Sequence, residues 1–261
     1  VTLNIFTIVL DGAPWLGAQF AELTRLRDIK WHWSIVEGAS MAQKDTSWMA
    51  NQGNKISHDG THQLLQSFAN HPRITVKSKP TWDGKTEMIN AALTDFKNDG
   101  VLLQMDCDEL WTSKQMATLV GMFEGNIQLS TLQVSMDYMV GPNVIATSTN
   151  GYGNRDSEWV RAWRYSTGMW MECHEPPVFN GNGGRVYSRD DADRWLGKIL
   201  HMSWVTPQQV AQKQRIYGKP YAKSIDNWLS LQNNSHWPVD DLQQFLPWVG
   251  SGGSADLLFD S

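Results

Sequence analysis

Cysteine is nearly missing from this sequence: there are 2 in 261 residues, Cys107 and Cys173. That is too few for a disulfide framework or for a zinc site built on thiolates, and it fits a reducing cytoplasm, with both residues as small apolar filler. Basic charge is also scarce. Lys and Arg number 22 against 27 Asp and Glu, giving a net charge of -5 and a pI near 5.8. The chain therefore carries no electrostatic footprint for nucleic acid or for an anionic membrane surface. No apolar stretch approaches the roughly 20 residues of a membrane span, and the chain opens on a strand-like run rather than a secretory signal. Internal repeats and low-complexity segments are absent.

What is present is an ordinary hydrophobic fraction of 41% on a chain long enough to bury a sizeable core. Tryptophan is in excess, at 14 residues. Most should line the core or a cleft, although aromatic faces also stack on sugars and nucleobases. Asn233-Asn234-Ser235 matches a glycosylation acceptor and reads as a polar turn.

The run LNIFTIVL at 3–10 predicts a strand that ends in a tight turn at Asp11-Gly12. Leu16, Phe20, Leu23 and Leu26 recur at helical spacing, and WSIVEG at 33–38 predicts a second strand. A β-α-β unit has parallel strands and a right-handed crossover, which places Asp11 and Glu37 at one carboxyl edge. Residues 39–60 read as a long polar loop, of the kind that tends to be functional. A helix at 61–70, a strand at 73–77 and a helix from about Lys85 follow. The second half is richer in strands and loops, with WVRAWRY among them.

The stretch VLLQMDCDELW, 101–111, is the most informative. A buried strand ends and Asp106, Asp108 and Glu109 follow at once. In open α/β sheets ligands bind in the crevice at the carboxyl ends of the strands. Two aspartates one residue apart can hold a hard divalent cation and leave its other positions to phosphate oxygens. The plainer reading is a turn followed by a helix that Ser113 caps. The same spacing at Asp191-Ala192-Asp193 has no apolar strand before it and reads as a solvated turn or helix start. Arg161 and Arg164, three apart on a strand, point to opposite faces, so at most one reaches a ligand.

The succession FTIVLDGAPWL, VEGAS, DGT, WDGKTEMINAAL and LLQMDCDELW, followed by RAWRYSTGMWMECHEPPVF and ILHMSWVTPQQVAQK, resembles an inverting nucleotide-sugar glycosyltransferase of the GT-A fold, near the family-2 group. The likeness runs from about residue 3 to 220. It implies a Rossmann-like three-layer α/β/α domain with a mixed central sheet over residues 1–223. A tail, 224–261, would pack on that domain or at an oligomer interface.

The resemblance also implies roles. Asp11, Gly12 and Glu37 would contact the nucleoside, and Lys85, at the start of a helix, would meet the diphosphate. Asp106 would serve the ribose or a metal water. Asp108 would ligate the metal directly, with Asp106 and His201 completing the protein ligands. The histidine favours Mn2+ over Mg2+. The donor would be a UDP- or GDP-sugar and the acceptor a hydroxyl of a glycan or other molecule. Glu175 matches the position of the general base, with Glu172 and Glu109 as competitors, because MECHEPP departs from the usual acid pair. His174 could orient the acceptor or Glu175. The Gly- and Asn-rich 179–191 reads as a lid over the donor or as a plain connection. The alternatives are a nucleotide- or carbohydrate-binding protein of the same fold and a metal-dependent nucleotidyltransferase. The latter should carry a richer glycine loop after the first strand than Asp11-Gly12-Ala13-Pro14.

Overall fold

A strand that is apolar on both faces needs cover on both, and β1 (Thr2–Val9) is buried from Leu3 onward. The structure is a computed structural model that describes residues 1–41, 55–146, 160–174, 177–181, 183–217, 225–245 and 255–257. After β1 come α1 (Trp15–Thr24), β2 (Lys30–Ser40), α2 (Thr61–Phe68), β3 (Ile74–Trp82), α3 (Lys85–Leu93), β4 (Gly100–Gln104), β5 (Glu109–Leu110), α4 (Ser113–Gly125) and β6 (Leu129–Gln133). Next are β7 (Met136–Tyr138), β8 (Val144–Ala146), β9 (Val160–Tyr165), β10 (Met171–Cys173), β11 (Val178–Phe179), β12 (Arg185–Tyr187), α5 (Arg189–Leu196) and β13 (Ile199–His201). The chain ends with α6 (Pro207–Tyr217), α7 (Ile225–Leu231), β14 (His236–Trp237), α8 (Val239–Leu242) and β15 (Ala255–Leu257).

Two compact units result. The first comprises Val1–Ser135 and Asp156–Ile199, and the second Met136–Arg155 and Leu200–Ser261.

The first unit is built on a 7-stranded sheet in the order β12-β6-β9-β4-β1-β2-β3. Neighbours β4, β1, β2 and β3 run parallel, and β12 runs parallel to β6. β9 lies antiparallel to both β4 and β6. The sheet is therefore mixed, as the resemblance implies.

Phe6, Ile8, Val36, Leu102 and Trp163 cover one face together with Met88, Ile89 and Ala92 of α3. On the other face the Trp33 ring lies 6.0 Å from Phe68 of α2, and the Arg164 guanidinium lies 5.5 Å from the Phe123 ring of α4. Helices on both faces make three layers. The edge strand β3 carries Lys77, Lys79 and Pro80, residues that discourage pairing with another sheet.

Local signals hold with one shift. The cap of α4 is Thr112 rather than Ser113: its hydroxyl accepts from Gln115 N at 3.2 Å, while Gln115 Oε1 accepts from Thr112 N at 2.9 Å. That reciprocal pair satisfies the orphan donors of the first turn. The second aspartate pair lies in α5, capped by Ser188, so it is a helix start. Within 179–191, Arg185–Tyr187 forms β12 at the edge of the main sheet.

In the second unit, β14, β15 and β8 pair antiparallel. Trp204, Trp237 and Phe245 form its aromatic core, the phenyl ring lying 5.6 Å from one indole and 5.8 Å from the other. From the tail, Trp228 Nε1 donates to Val140 O at 2.8 Å and to Trp204 O at 2.9 Å. No helix among the described residues is long and apolar enough to cross a membrane.

Candidate functional site

Parallel strands bring Val9 level with Glu37 and Phe6 level with Gln104, so the turns after β1, β2 and β4 share one edge. The reversed strand β9 starts at that edge, because Ala162 pairs with Leu103 and Arg161 precedes it. The turn after β1 is tightly determined. Asp11 has φ 57, in the left-handed region. A Cβ on Gly12 would meet Val9 Cγ2 at 2.5 Å and Cys107 Cβ at 2.8 Å, so the absence of a side chain lets this turn touch the acid loop.

The same turn is stitched to the segment before α2. Asp11 N donates to Ser57 Oγ at 3.0 Å, and His58 N donates to Asp11 Oδ1 at 2.7 Å. Gly12 N donates to Thr61 Oγ1 at 2.8 Å, and Ala13 N to Asp59 Oδ2 at 2.9 Å.

Glu37 is fully buried. Its carboxylate accepts from Ser78 Oγ at 2.6 Å, His62 Nδ1 at 2.7 Å and Ser57 N at 3.3 Å. Burial alone would push its carboxyl up, but the hydrogen bonds from Ser78, His62 and Ser57 and the His62 charge outweigh that and hold it below the usual carboxylate range. Both oxygens are thus engaged by protein, and Glu37 organises the edge from within. Lys85 occupies the first turn of α3 and is buried.

The acid loop has an internal division of labour. Glu109 is fully buried, and its Oε1 accepts from Arg161 Nε at 2.7 Å. Its other oxygen accepts from Asp106 N at 3.3 Å and from Trp111 Nε1 at 3.4 Å. Asp106, with its side chain 30% exposed, receives Arg161 Nη2 at 3.3 Å and Gln104 Nε2 at 3.0 Å. Buried and paired, Glu109 is not placed to take a proton from an acceptor and drops out as a base. Arg164, on the opposite face, donates to Phe123 O and Asn126 O, both at 2.8 Å, at the end of α4. It serves a helix terminus and not a ligand.

Gln19 of α1 was missed by sequence reasoning. Fully buried, its Nε2 donates to Asp106 O at 2.7 Å and to Glu109 O at 2.6 Å, clamping both ends of the acid turn. The available signal was a polar residue on the apolar stripe between Leu16 and Leu23.

Asp108 is half-buried within this loop. In the second unit, His201 ends β13 with its ring 4.5 Å from that of Tyr138, at 28°. Glu175 lies outside the described residues, Glu172 is exposed and His174 half-buried. Asn90 fixes the strand leading to them: its Oδ1 accepts from Met171 N at 2.7 Å and its Nδ2 donates to Met171 O at 3.0 Å.

Among the described residues no group of three His, Cys, Asp or Glu side chains is drawn together as a metal cluster. The donors nearest such a role are the oxygens of Asp106 and Asp108. Beside them, Gln19 Oε1 and Gln104 Oε1 are buried with no hydrogen-bond partner among the described residues. An oxygen-rich, incompletely satisfied corner suits a hard cation whose shell a ligand completes.

No protein-family model matches the sequence, and no curated protein matches it. Solved structures do resemble the chain. TarS from S. aureus has 12% identity over 63% of this chain and 28% of that one, at a TM-score of 0.44. Its 1–349 fragment in complex with UDP-GlcNAc has 10% identity, covering 94% and 78%, at 0.46. The mannosyltransferase PcManGT from Pyrobaculum calidifontis, in complex with GDP-Man and Mn2+, has 13% identity, covering 82% and 61%, at 0.48. All three scores lie below 0.5, and nothing about the chemistry of this chain follows from them.

Proposed function

We propose that the chain is a metal-dependent inverting glycosyltransferase, close to the family-2 group, that moves a sugar from a nucleoside-diphosphate donor to an acceptor hydroxyl. The observation that carries this reading is the contact between the Asp11-Gly12 turn after β1 and the Asp106–Glu109 turn after β4 at one carboxyl edge. Within the acid turn Arg161 pairs with buried Glu109 and also reaches Asp106, while Asp106 and Asp108 are both only half-buried.

Asp108 and Asp106 would hold a divalent cation, Mn2+ before Mg2+, with His201 as a third protein ligand. When bound, the ion offsets charge on the departing diphosphate. Asp11 and the Gly12 turn receive the nucleoside, Glu37 keeps the 57–62 segment in place beneath it, and Lys85 faces the diphosphate at the start of α3. Glu175 removes the acceptor proton from the opposite side of the sugar. The catalytic domain is residues 1–223, with the tail packed on it or at an oligomer interface.

A panel of UDP- and GDP-sugars with Mn2+, scored by nucleoside diphosphate release and by thermal stabilisation, tests the proposal. At least one donor should both stabilise the protein and be turned over. Donor binding without release in the presence of any acceptor would leave a binding protein, and release of pyrophosphate would mark a nucleotidyltransferase.

A further inference from the structure

Trp195 stands on α5 with 69% of its surface exposed. Large aromatic side chains are usually buried, and an indole kept in water gives up a large apolar area. The helix that carries it is fixed at both ends. Ser188 caps the helix, which closes at Gly197 with φ 64. Gln115 Nε2, from α4, donates to Leu196 O at 3.1 Å and to Lys198 O at 2.9 Å. Two helices are therefore locked together where the indole projects.

Beside Trp195 a cavity of about 360 Å³ opens between α4 and α5, with Thr112, Lys114 and Thr118 around it. Its size falls within the span of small-molecule clefts. The Gln115 amide is already engaged by the two carbonyls, and the Thr112 hydroxyl donates to Gln115 Oε1 at 3.0 Å. Lys114 and Thr118 are the polar groups that remain for a ligand.

One aromatic face, an ammonium and a hydroxyl make an unusual combination. A purely apolar ligand would cover the indole but strip water from Lys114 and Thr118 without replacing it. A pyranose satisfies all three. Its C–H face is apolar with slight positive charge, matching the negative face of the indole, and its hydroxyls lie around the rim. The place also fits, because α4 begins directly behind the acid turn, on the flank of the edge where transfer is proposed.

We infer that the Trp195 cavity binds a saccharide unit of the acceptor, its C–H face on the indole and its hydroxyls on Lys114 and Thr118. The inference rests on the glycosyltransferase reading for the word acceptor, but the binding itself is measurable without it.

The test uses the full chain without metal or nucleotide. Saturation-transfer NMR and titration calorimetry are run with hexasaccharides of glucose, mannose, galactose and N-acetylglucosamine. At least one should bind, Trp195→Ala should weaken it roughly ten- to thirty-fold, and Trp195→Phe should fall between. Mn2+-dependent nucleotide affinity should be the same in all three proteins. Saccharide binding lost in Trp195→Ala while every nucleotide-sugar is ignored would uphold this site and sink the transferase. Transfer activity with equal saccharide affinity in wild type and Trp195→Ala would do the reverse. No binding of any hexasaccharide, or a wild-type dimer that Trp195→Ala dissolves without effect on saccharides, overturns the inference.

Discussion

Arg161 Nε donates to Glu109 Oε1 at 2.7 Å, with the arginine side chain 9% exposed and the glutamate fully buried. The guanidinium also reaches Asp106 at 3.3 Å, so one cation spans the acid turn from its first to its last residue. Such a pair gains little net stability over an apolar replacement, but breaking it leaves an uncompensated buried charge. Arg161→Leu and Glu109→Leu should each cost about 3–5 kcal/mol. The double variant should cost clearly less than their sum, as read from urea unfolding. Additive losses would show that the two side chains are not coupled.

Gln19 makes a different kind of link, amide to backbone. Gln19→Leu keeps the volume but removes the amide that joins the carbonyls of Asp106 and Glu109, the first of which still accepts from Glu109 N at 3.0 Å, so the loss should be about 1–3 kcal/mol in all. Because those carbonyls bracket Asp108, the stabilisation that Mn2+ plus nucleoside diphosphate gives the wild type should shrink in Gln19→Leu, beyond the shift in the unliganded melting temperature. An unchanged ligand-induced shift would confine Gln19 to packing.

How much of this was legible follows the physics of each signal. Strands buried on both faces announce themselves by continuous apolar runs, which is why β1, β2 and β4 and the acids that end them could be read directly. Gln19 could not be assigned, because its partners are backbone carbonyls far along the chain and leave no residue-type signature. For Glu37 the position at a strand end was readable. Its saturation by Ser57, His62 and Ser78 was not, since those contacts depend on how the following segment folds back. Arg161 and Arg164 are the intermediate case: alternation on a strand separates their faces, but only the reversed direction of β9 tells which one meets the acids.

Glu37 also carries a pH dependence whose sign is fixed. Its folded carboxyl lies below the usual carboxylate range, so its contribution is fully present above the unfolded value and is lost as pH falls through the lower folded one. Glu37→Gln removes that contribution. Urea midpoints taken from pH 6 downward should therefore fall less steeply in Glu37→Gln than in wild type, the two curves converging at the acid end. Parallel curves would mean that the carboxylate is not stabilised by its hydrogen bonds.

Asp108 and Glu175 separate binding from chemistry. If the acid turn holds the cation and the diphosphate completes its shell, metal and nucleotide bind cooperatively, and a ligand at a hundred times its Kd should stabilise the fold by about 2.7 kcal/mol. Asp108→Asn keeps the shape but weakens the oxygen charge, so calorimetry should show nucleotide affinity that no longer responds to Mn2+ or to a chelator. His201→Ala should weaken metal dependence without unfolding the protein. Glu175→Gln should leave both affinities near wild type while turnover falls by roughly 10² to 10⁴, the usual contribution of a general base. The same change at exposed Glu172 is the control. Equal turnover in Glu175→Gln and wild type would return the base to Glu172, and Mn2+-independent nucleotide affinity in the wild type would remove the metal from the reading altogether.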